Sequence, residues 1–468
     1  MNRLLLVTSC LLLVVSSFGQ TVAQKLQAAY QQFEADSQLR HAISSLYVID
    51  ATTGEVVVDK NSQIGLAPAS TQKIITSVTA FELLGRDFRF KTQIGYSGTI
   101  RNDSLIGDLF VKGTGDPTMG SWRYASTRDS AIFYDWASAI SKVGIKKVTG
   151  YLNYNFMDWP SNSIPNGWIW QDIGNYYGAS AQIINWHENQ YDLFLRSGKE
   201  VGDPVEILGN NHHIINELHA AAKGTGDNAY LYLSSDDNLP VVAGTIPIGE
   251  SNFKISVSDP YARNNFLLGL GLFFNQKGIR NAKPGTSLTT TRYYMDKEEI
   301  SKRSVTWLST YYSPSLDSVI YWFNKRSINL YGEALVKTFA FEKTGFASTD
   351  TGTNIVRKFW KGKGLDENEL NIYDGSGLSP LNRVTTHAQV EILKYAKTRD
   401  WYPYFYDALP EFNNMKMKSG TISDVKGFCG YHKSKDGKEY IFSFLVNNYS
   451  GRSSLLVSKM YKVLDCLK

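Results

Sequence analysis

The 468-residue chain has 43% hydrophobic and 20% charged residues, a balance typical of a folded globular protein large enough for two or three domains, and it argues against extensive disorder. Its formal net charge of +5 is small for this length and is spread along the chain without long basic runs. The composition therefore favours a soluble protein, and no nucleic-acid partner is expected.

The amino-terminal segment is typical of an export signal. Arg3 precedes a mostly apolar run over residues 4–15, and small residues follow up to Gly19. This order predicts a signal peptide over residues 1–23 and export to the periplasm or cell envelope of a bacterium. An uncleaved anchor is the alternative, but it needs about 20 apolar residues. No stable membrane span is therefore expected after cleavage.

Strand patterns over residues 43–50 and 55–59 predict a hairpin near the mature amino terminus. A helix is predicted over residues 70–84, because apolar side chains recur there at helical spacing and Gly85 follows. The region from about 88 to 281 is richer in short strands and turns. We expect this region to be inserted between two parts of another domain.

The remaining predicted elements are helices over residues 259–275, 316–323 and 453–467, and strands over 415–421, around Phe428 and over 440–447. Strands therefore lie near both ends of the chain. This arrangement favours one antiparallel sheet built from both ends.

Ser70 and Lys73 stand three residues apart at the start of the predicted helix, so their side chains share a face and can touch. A serine hydroxyl needs a neighbouring base to become a nucleophile, and a lysine serves when its pKa is lowered. The helix amino terminus adds N–H groups that favour an oxyanion. A lone SxxK pattern is weak support, because chance supplies such pairs, and a Ser70 that only caps a helix is the alternative.

An SxN pattern at Ser327 and Asn329 follows further along the chain. Ser327 could relay a proton to a leaving amine. The side-chain amide of Asn329 could hold the backbone of a substrate. The order SxxK then SxN strengthens the hypothesis of serine acyl transfer.

A third pattern occupies residues 418–421 and completes this order. Lys418 offers a fixed cation that would lower the pKa of Lys73 and attract a substrate carboxylate, which Ser419 would help to hold. Gly420 would let the substrate lie close against its strand. The Thr421 N–H could complete an oxyanion hole with that of the nucleophile.

Six segments that surround these patterns carry a resemblance to a known family: residues 66–73, 113–118, 167–179, 324–333, 374–379 and 416–421. They closely resemble class C low-molecular-mass penicillin-binding proteins, the D-alanyl-D-alanine carboxypeptidase/endopeptidase family. The order of the three patterns is that of penicillin-binding proteins and class A β-lactamases. Departures from the family are Ser419 for threonine, Gly332 for alanine and Pro380 for arginine.

The resemblance implies an α/β (α+β) fold, with a penicillin-binding or β-lactamase-type transpeptidase domain whose antiparallel sheet is flanked by helices. This discontinuous domain would comprise residues 24–87 and 285–468, with one or more smaller, mainly β domains inserted over 88–284. The expected activity is hydrolysis of peptidoglycan stem peptides and cross-links through an acyl-enzyme on Ser70. β-Lactam antibiotics would be covalent inhibitors.

The resemblance also implies a substrate-binding role for Asp172, which would bind the ammonium group of a diaminopimelate-type side chain, since a carboxylate favours a cation buried beside it. An Asp172 that only braces the Trp-rich segment around it is an equal alternative. Asp374 is expected to brace a tight turn.

Cysteines and histidines point to no metal site or cofactor. Beyond the signal peptide, Cys429 and Cys466 could pair or remain free thiols. His212, His213 and His219 cluster in the inserted region, but their spacing is not that of HExxH.

Two other functions compete with the peptidase. A β-lactamase would use the same acylation residues with fast deacylation, but no ExxxN-type segment between Ser70 and Ser327 is assigned as a deacylating base. A wall-binding or penicillin-sensing module without turnover would have no chemical need for all three patterns. The peptidase is therefore favoured.

Overall fold

The computed structural model describes residues 20–154, 158–160, 162–209, 213–234, 239–284 and 304–468. Within these ranges the α-helices are α1 (Val22–Glu34), α2 (Lys73–Leu84), α3 (Asp129–Lys142), α4 (Trp170–Ile173), α5 (Ala262–Gln276), α6 (Leu316–Lys325), α7 (Asn329–Thr344), α8 (Thr349–Gly362), α9 (Thr386–Lys397), α10 (Tyr402–Ala408) and α11 (Ser453–Leu464). The strands are β1 (Ile43–Asp50), β2 (Val56–Lys60), β3 (Lys91–Arg101), β4 (Ser104–Lys112), β5 (Lys147–Val148), β6 (Tyr151–Tyr154), β7 (Gln190–Arg196), β8 (Glu206–Leu208), β9 (Ile215–Ala221), β10 (Asn228–Tyr232), β11 (Val241–Pro247), β12 (Phe253–Ser258), β13 (Lys283–Pro284), β14 (Thr306–Tyr312), β15 (Leu370–Asn371), β16 (Arg383–Val384), β17 (Glu411–Phe412), β18 (Met415–Ile422), β19 (Val425–Lys433) and β20 (Glu439–Asn447).

A six-stranded antiparallel sheet joins the two ends of the chain. Its strand order is β17-β18-β19-β20-β1-β2. β1 pairs with β20 along its whole length, from Ile43 opposite Asn447 to Asp50 opposite Tyr440. The predicted sheet from both chain ends and the predicted β1–β2 hairpin are therefore confirmed.

Helices cover both faces of this sheet. On one face, Phe442 and Phe444 of β20 pack with α1 and α11. On the other face, Ile441 and Leu445 pack with α2 and with the helices from α6 to α10. Burying a side chain of this size contributes about 1.5–3 kcal/mol, so the sheet is a stable base for the edge strand β18.

The predicted helix over residues 70–84 begins later than expected. A 3₁₀ turn occupies Ala69–Gln72, and α2 follows from Lys73 to Leu84. The helix ends at Gly85, whose φ of 81° an L side chain rarely adopts. The tighter first turn separates Ser70 from the helix proper and faces it toward β18.

The chain between α2 and α6, here called the inserted unit, forms three further sheets. Its larger sheet has the order β13-β6-β4-β3-β14 with β5 beside β4, and two three-stranded sheets have the orders β10-β11-β9 and β12-β7-β8. Trp136 of α3 and Phe266 of α5 lie in its core. The predicted boundary at 285 lies outside the described residues. Because β14 pairs with β3, we propose that the inserted unit ends near Ser313.

Other predicted elements differ from the structure mainly at their ends. α11 stops at Leu464, and a 3₁₀ turn follows over Asp465–Leu467 where the helix was predicted to continue. Residues 1–19 of the predicted signal peptide lie outside the described residues. Within the described ranges, no helix combines the length and hydropathy needed to cross a membrane.

Candidate active site

The Ser70 side chain sits on a strained turn. Ala69, just before it, has a φ of 46°, a conformation that costs a residue other than glycine about 1–3 kcal/mol. The neighbours Ala69 and Thr71 are fully buried, whereas Ser70 is partly exposed and lines a cleft. The turn thus presents one hydroxyl to the cleft from a backbone that buried packing holds in place.

Lys73 is fully buried, and its amine reaches three oxygen atoms. Its Nζ lies 3.0 Å from Ser70 Oγ, 2.6 Å from Asn329 Oδ1 and 2.7 Å from the Ser376 carbonyl oxygen. The amide and carbonyl oxygens can only accept hydrogen bonds. They therefore match the two N–H bonds of a neutral amine, and the lone pair of that amine faces the Ser70 hydroxyl.

Burial is the main reason that the pKa of Lys73 lies well below its usual range, and the charge of Lys418 is the second. Asp374 and Glu333 act in the opposite direction. Burial and a neighbouring cation are the two causes that the sequence suggests, and both act on Lys73 in the expected direction. Desolvation favours the neutral base even before a second cation acts.

Lys418 and Ser327 form a second hydrogen-bonded pair. The Lys418 Nζ donates to Ser327 Oγ at 3.0 Å and to the Ser419 carbonyl at 2.9 Å. Burial lowers the pKa of Lys418 to about 7. Ser327 has a φ of 55°, so the residue that precedes α7 by two positions is also held in an uncommon conformation.

The amide of Asn329 is anchored on both sides by the protein. Its Oδ1 accepts from Lys73, and its Nδ2 donates to the Tyr177 carbonyl at 2.7 Å. The contact of this amide with the substrate backbone stays a prediction. Its described contacts tie Lys73 to the inserted unit.

Gly420 lies against the nucleophile turn. A Cβ atom at this position would stand 2.6 Å from the Pro68 carbonyl oxygen and 2.9 Å from the backbone nitrogens of Ser70 and Thr71. The glycine therefore makes room for this turn, and the room that it leaves for substrate stays a prediction. The same contact brings the backbone before Thr421 close to the Ser70 N–H.

The outer edge of β18 is open toward the cleft. β17 pairs only with Met415 and Lys416 at the start of β18, so the strand has no further partner on that side within the described ranges. Thr421 is exposed and lines the cleft, and its hydroxyl accepts from Lys426 at 2.7 Å. An open edge of this kind can pair with an extended peptide.

The cleft has a volume of about 670 Å³ and joins the catalytic candidates to the inserted unit. Ser70 and Ser327 lie on its wall together with Asp172, Tyr177 and Tyr230. Asp172 is half-buried, and burial raises its pKa, while a hydrogen bond from Tyr177 opposes this shift. The structure therefore brings Asp172 into the same cleft as the predicted nucleophile.

Asp374 braces a turn, in line with the expectation for this residue. It is fully buried, and its carboxylate accepts from the backbone N–H groups of Gly377 and Ser379. Gln72, Trp168 and Asn382 add three side-chain donors. The turn in this way fixes the neighbouring Ser376 carbonyl against Lys73.

Sequence reasoning missed two buried charged residues on α7. Glu333 accepts the Gly375 N–H, and Lys337 donates to two backbone carbonyls. A usable signal was present in the sequence: Glu333 and Lys337 follow Asn329 at intervals of four residues, so all three share one helix face.

Among the described residues, no group of three or more His, Cys, Asp or Glu side chains is placed to hold a metal ion. His213 and His219 are described, whereas His212 lies outside the described residues. Cys429 and Cys466 are both free thiols.

A serine hydroxyl that is hydrogen-bonded to a buried lysine, beside an open edge strand, is typical of serine acyl-transfer enzymes. The family model of the D-Ala-D-Ala carboxypeptidase 3 (S13) family matches residues 26–463. The chain belongs to this family and is a serine-type D-Ala-D-Ala carboxypeptidase. The resemblance found in the sequence is thereby confirmed.

Characterised relatives are similar over most of their length. A D-alanyl-D-alanine carboxypeptidase from Actinomadura sp. (strain R39) is 26% identical over 454 residues, which cover 90% of this chain and 81% of the relative. D-alanyl-D-alanine carboxypeptidase DacB from Haemophilus influenzae is 25% identical over 427 residues, with coverages of 85% and 83%.

The fold is shared with a solved structure. The crystal structure of penicillin binding protein 4 (dacB) from Haemophilus influenzae matches with a TM-score of 0.77 at 20% identity, covering 95% of this chain and 99% of that one. A structure of the same protein complexed with a β-lactam matches with a TM-score of 0.71 at 20% identity, covering 94% and 98%. The expected penicillin-binding fold is confirmed.

Proposed function

We propose that Ser70 is the nucleophile of this carboxypeptidase and Lys73 its general base. The Ser70 hydroxyl passes its proton to the Lys73 amine while Oγ bonds to the carbonyl carbon of the penultimate D-alanine. The observation that carries this proposal is the surroundings of Lys73 Nζ, where two acceptor-only oxygens take both N–H bonds of the neutral amine. The lone pair is left for the hydroxyl 3.0 Å away.

The N–H groups of Ser70 and Thr421 form the oxyanion hole in this proposal. The close approach of Gly420 to the Ser70 nitrogen supports it, because Thr421 follows Gly420 directly. Fixed donors of this kind stabilise a developing oxyanion, and one of them is worth roughly 100-fold or more in rate.

Lys418 and Ser327, the second hydrogen-bonded pair, assist the departure of the leaving group. As the C–N bond breaks, the proton held by Lys73 passes through the Ser327 hydroxyl to the leaving amine. Protonated Lys418, together with Ser419, holds the carboxylate of the departing D-alanine. Water then attacks the acyl carbon and gives a proton to Lys73. The bond between the acyl carbon and Ser70 Oγ breaks, and Lys73 returns that proton to Oγ.

The substrates are peptidoglycan stem peptides. Asp172 binds the ammonium group of a diaminopimelate-type side chain, which is supported by its half-buried position in the shared cleft. A leaving amine that belongs to a neighbouring stem peptide makes the same reaction an endopeptidase cleavage of a cross-link. β-Lactams acylate Ser70 in place of the peptide, as the β-lactam complex of the Haemophilus protein suggests by analogy.

The site of action is the bacterial cell envelope. The export pattern over residues 1–23 supports this location, and so does a substrate class found outside the cytoplasm. The mature protein acts in the periplasm or at the envelope.

The test is release of free D-alanine from a pentapeptide ending in D-Ala-D-Ala, measured with a cross-linked dimer as second substrate. Wild type and Ser458→Ala, which alters an exposed hydroxyl on α11, should release D-alanine at equal rates, and Ser70→Ala should fall to background. Activity retained by Ser70→Ala would contradict the assignment of the nucleophile. A dimer left uncleaved by active wild type would contradict the endopeptidase role.

A further inference from the structure

A line of three buried polar side chains runs along α7. Asn329, Glu333 and Lys337 are four residues apart, so they stack on one face of the helix. Their exposed fractions are 8%, 0% and 1%. Burying a polar or charged group costs free energy unless hydrogen-bond partners satisfy it. The hydrogen-bond partners of these three side chains therefore indicate their role.

Glu333 holds the loop that contacts the base. Both of its carboxylate oxygens accept the Gly375 N–H, at 3.1 and 3.2 Å. The next residue, Ser376, supplies the carbonyl oxygen that accepts from Lys73 at 2.7 Å. Glu333 therefore holds the loop one residue before the Ser376 carbonyl, which is one of the two oxygens that orient the Lys73 amine.

Lys337 holds the inserted unit. Its Nζ donates to the carbonyl of Ser163 at 2.6 Å and to that of Ala181 at 2.8 Å. These two residues bracket a stretch that includes Asp172 and Tyr177 on the cleft wall. The Tyr177 carbonyl in turn accepts from the Asn329 amide.

We propose that Glu333 and Lys337 are positioning residues for acylation. Glu333 ties the loop of the Ser376 carbonyl, and Lys337 ties the wall segment that carries Asp172, to the helix that also carries Asn329. This inference rests on the proposed function. Neither side chain touches substrate, so both act through Lys73 and through the cleft wall.

The choice of a lysine supports a positioning role. Burial lowers the pKa of Lys337 and raises that of Glu333, so the charged form of each side chain costs free energy in this core. Replacing a buried charged pair by apolar side chains is often neutral or stabilising. Two ionisable residues in this core are therefore expected to serve geometry at a cost in stability.

The first test uses Lys337→Met, which keeps the volume and removes both carbonyl contacts. We expect the rate of acylation by benzylpenicillin to fall about 10- to 100-fold, because small misplacements of reacting groups cost this much. The midpoint of thermal unfolding should fall modestly, because the Ser163 and Ala181 carbonyls lose their donor. Lys343→Met, an exposed lysine on the same helix, should acylate like wild type. An unchanged rate in a folded Lys337→Met protein would overturn the inference.

The second test does not depend on the first variant being folded. Glu333→Gln keeps an acceptor for the Gly375 N–H, whereas Glu333→Leu removes it. We expect Glu333→Gln to be acylated within about threefold of the wild-type rate and Glu333→Leu to lose about tenfold or more, while exposed Glu342→Gln is acylated like wild type. Equal acylation rates in folded Glu333→Leu and Glu333→Gln proteins contradict the inference. Failure of wild type to be acylated would instead contradict the proposed function.

Discussion

Replacing Gly420 by alanine tests the contact between the edge strand and the nucleophile turn. The added Cβ would lie 2.6 Å from the Pro68 carbonyl oxygen, and ordinary contact begins at 3.4 Å. The two backbones must therefore separate by about 0.8 Å, the difference between these distances. The added Cβ would also lie 2.9 Å from the backbone nitrogens of Ser70 and Thr71, so a sideways shift of the Cβ does not remove the clash.

Two effects of different size follow from Gly420→Ala. Overpacking of this kind costs about 1–3 kcal/mol of stability, which a protein of this size can tolerate. A displacement of nearly 1 Å between nucleophile and oxyanion donors costs about 100-fold in rate. We therefore expect a folded protein with a modest loss of stability and a severe loss of acylation.

The assay follows the benzylpenicillin adduct by intact mass over time, and chemical denaturation measures stability. Gly362→Ala is the matched control, because its Cβ would meet nothing within 4 Å at the end of α8. It should acylate at the wild-type rate. Acylation of Gly420→Ala within about threefold of wild type would refute the argument, since a displaced oxyanion hole must cost more than that.

The remaining predictions concern charge. The value of kcat/KM for peptide hydrolysis should rise with pH through the lowered pKa of Lys73, because Lys73 must be neutral to act as base. It should fall again above about pH 7, where Lys418 loses its proton. A pH profile that stays flat from 6 to 9 contradicts this prediction. Lys418→Met should raise the free energy of unfolding at pH 7 by about 1–4 kcal/mol while peptide hydrolysis collapses. The sign follows from linkage: the folded protein binds fewer protons at Lys418 than the unfolded chain between pH 7 and 10, so wild-type stability rises with pH there and that of the variant rises less. Asp374→Asn should lose about 1–3 kcal/mol of stability, measured by denaturation, because an amide nitrogen would face N–H donors; equal stability would show that the turn does not need the carboxylate. Asp172→Asn should lower kcat/KM for a peptide with an ammonium side chain about tenfold and leave a neutral analogue unchanged, and an equal loss on both peptides would favour a bracing role.

Much of the fold could be predicted from periodicity and order along the chain. The strands at residues 43–50 and 440–447 carry apolar side chains toward two layers of helices, so their pairing follows from the need to bury both faces. The order of the three patterns, together with the segments that surround them, favoured serine acyl transfer. Helix ends were less predictable, as at Ser70, because tertiary contact with β18 decides how tightly the first turn is wound.

The arrangement within the site was harder to predict, because it depends on contacts between distant segments. Nothing local to Asn329 indicates that its amide meets the Tyr177 carbonyl. Likewise, the need for glycine at 420 comes from a turn some 350 residues earlier, as the contact with Pro68 shows. The burial of Glu333 and Lys337 also depends on distant segments, because Gly375 contacts one of them and the Ser163 and Ala181 carbonyls contact the other.

The most direct test of the central claim is intact-mass analysis of the mature protein with benzylpenicillin, followed by peptide mapping and compared with Ser70→Ala. We expect one persistent adduct per molecule, located on Ser70 and absent from the variant. An adduct on another residue, or one retained by Ser70→Ala, would contradict the assignment. Rapid turnover of the drug would point to a β-lactamase, and a complete lack of reaction would point to a binding module.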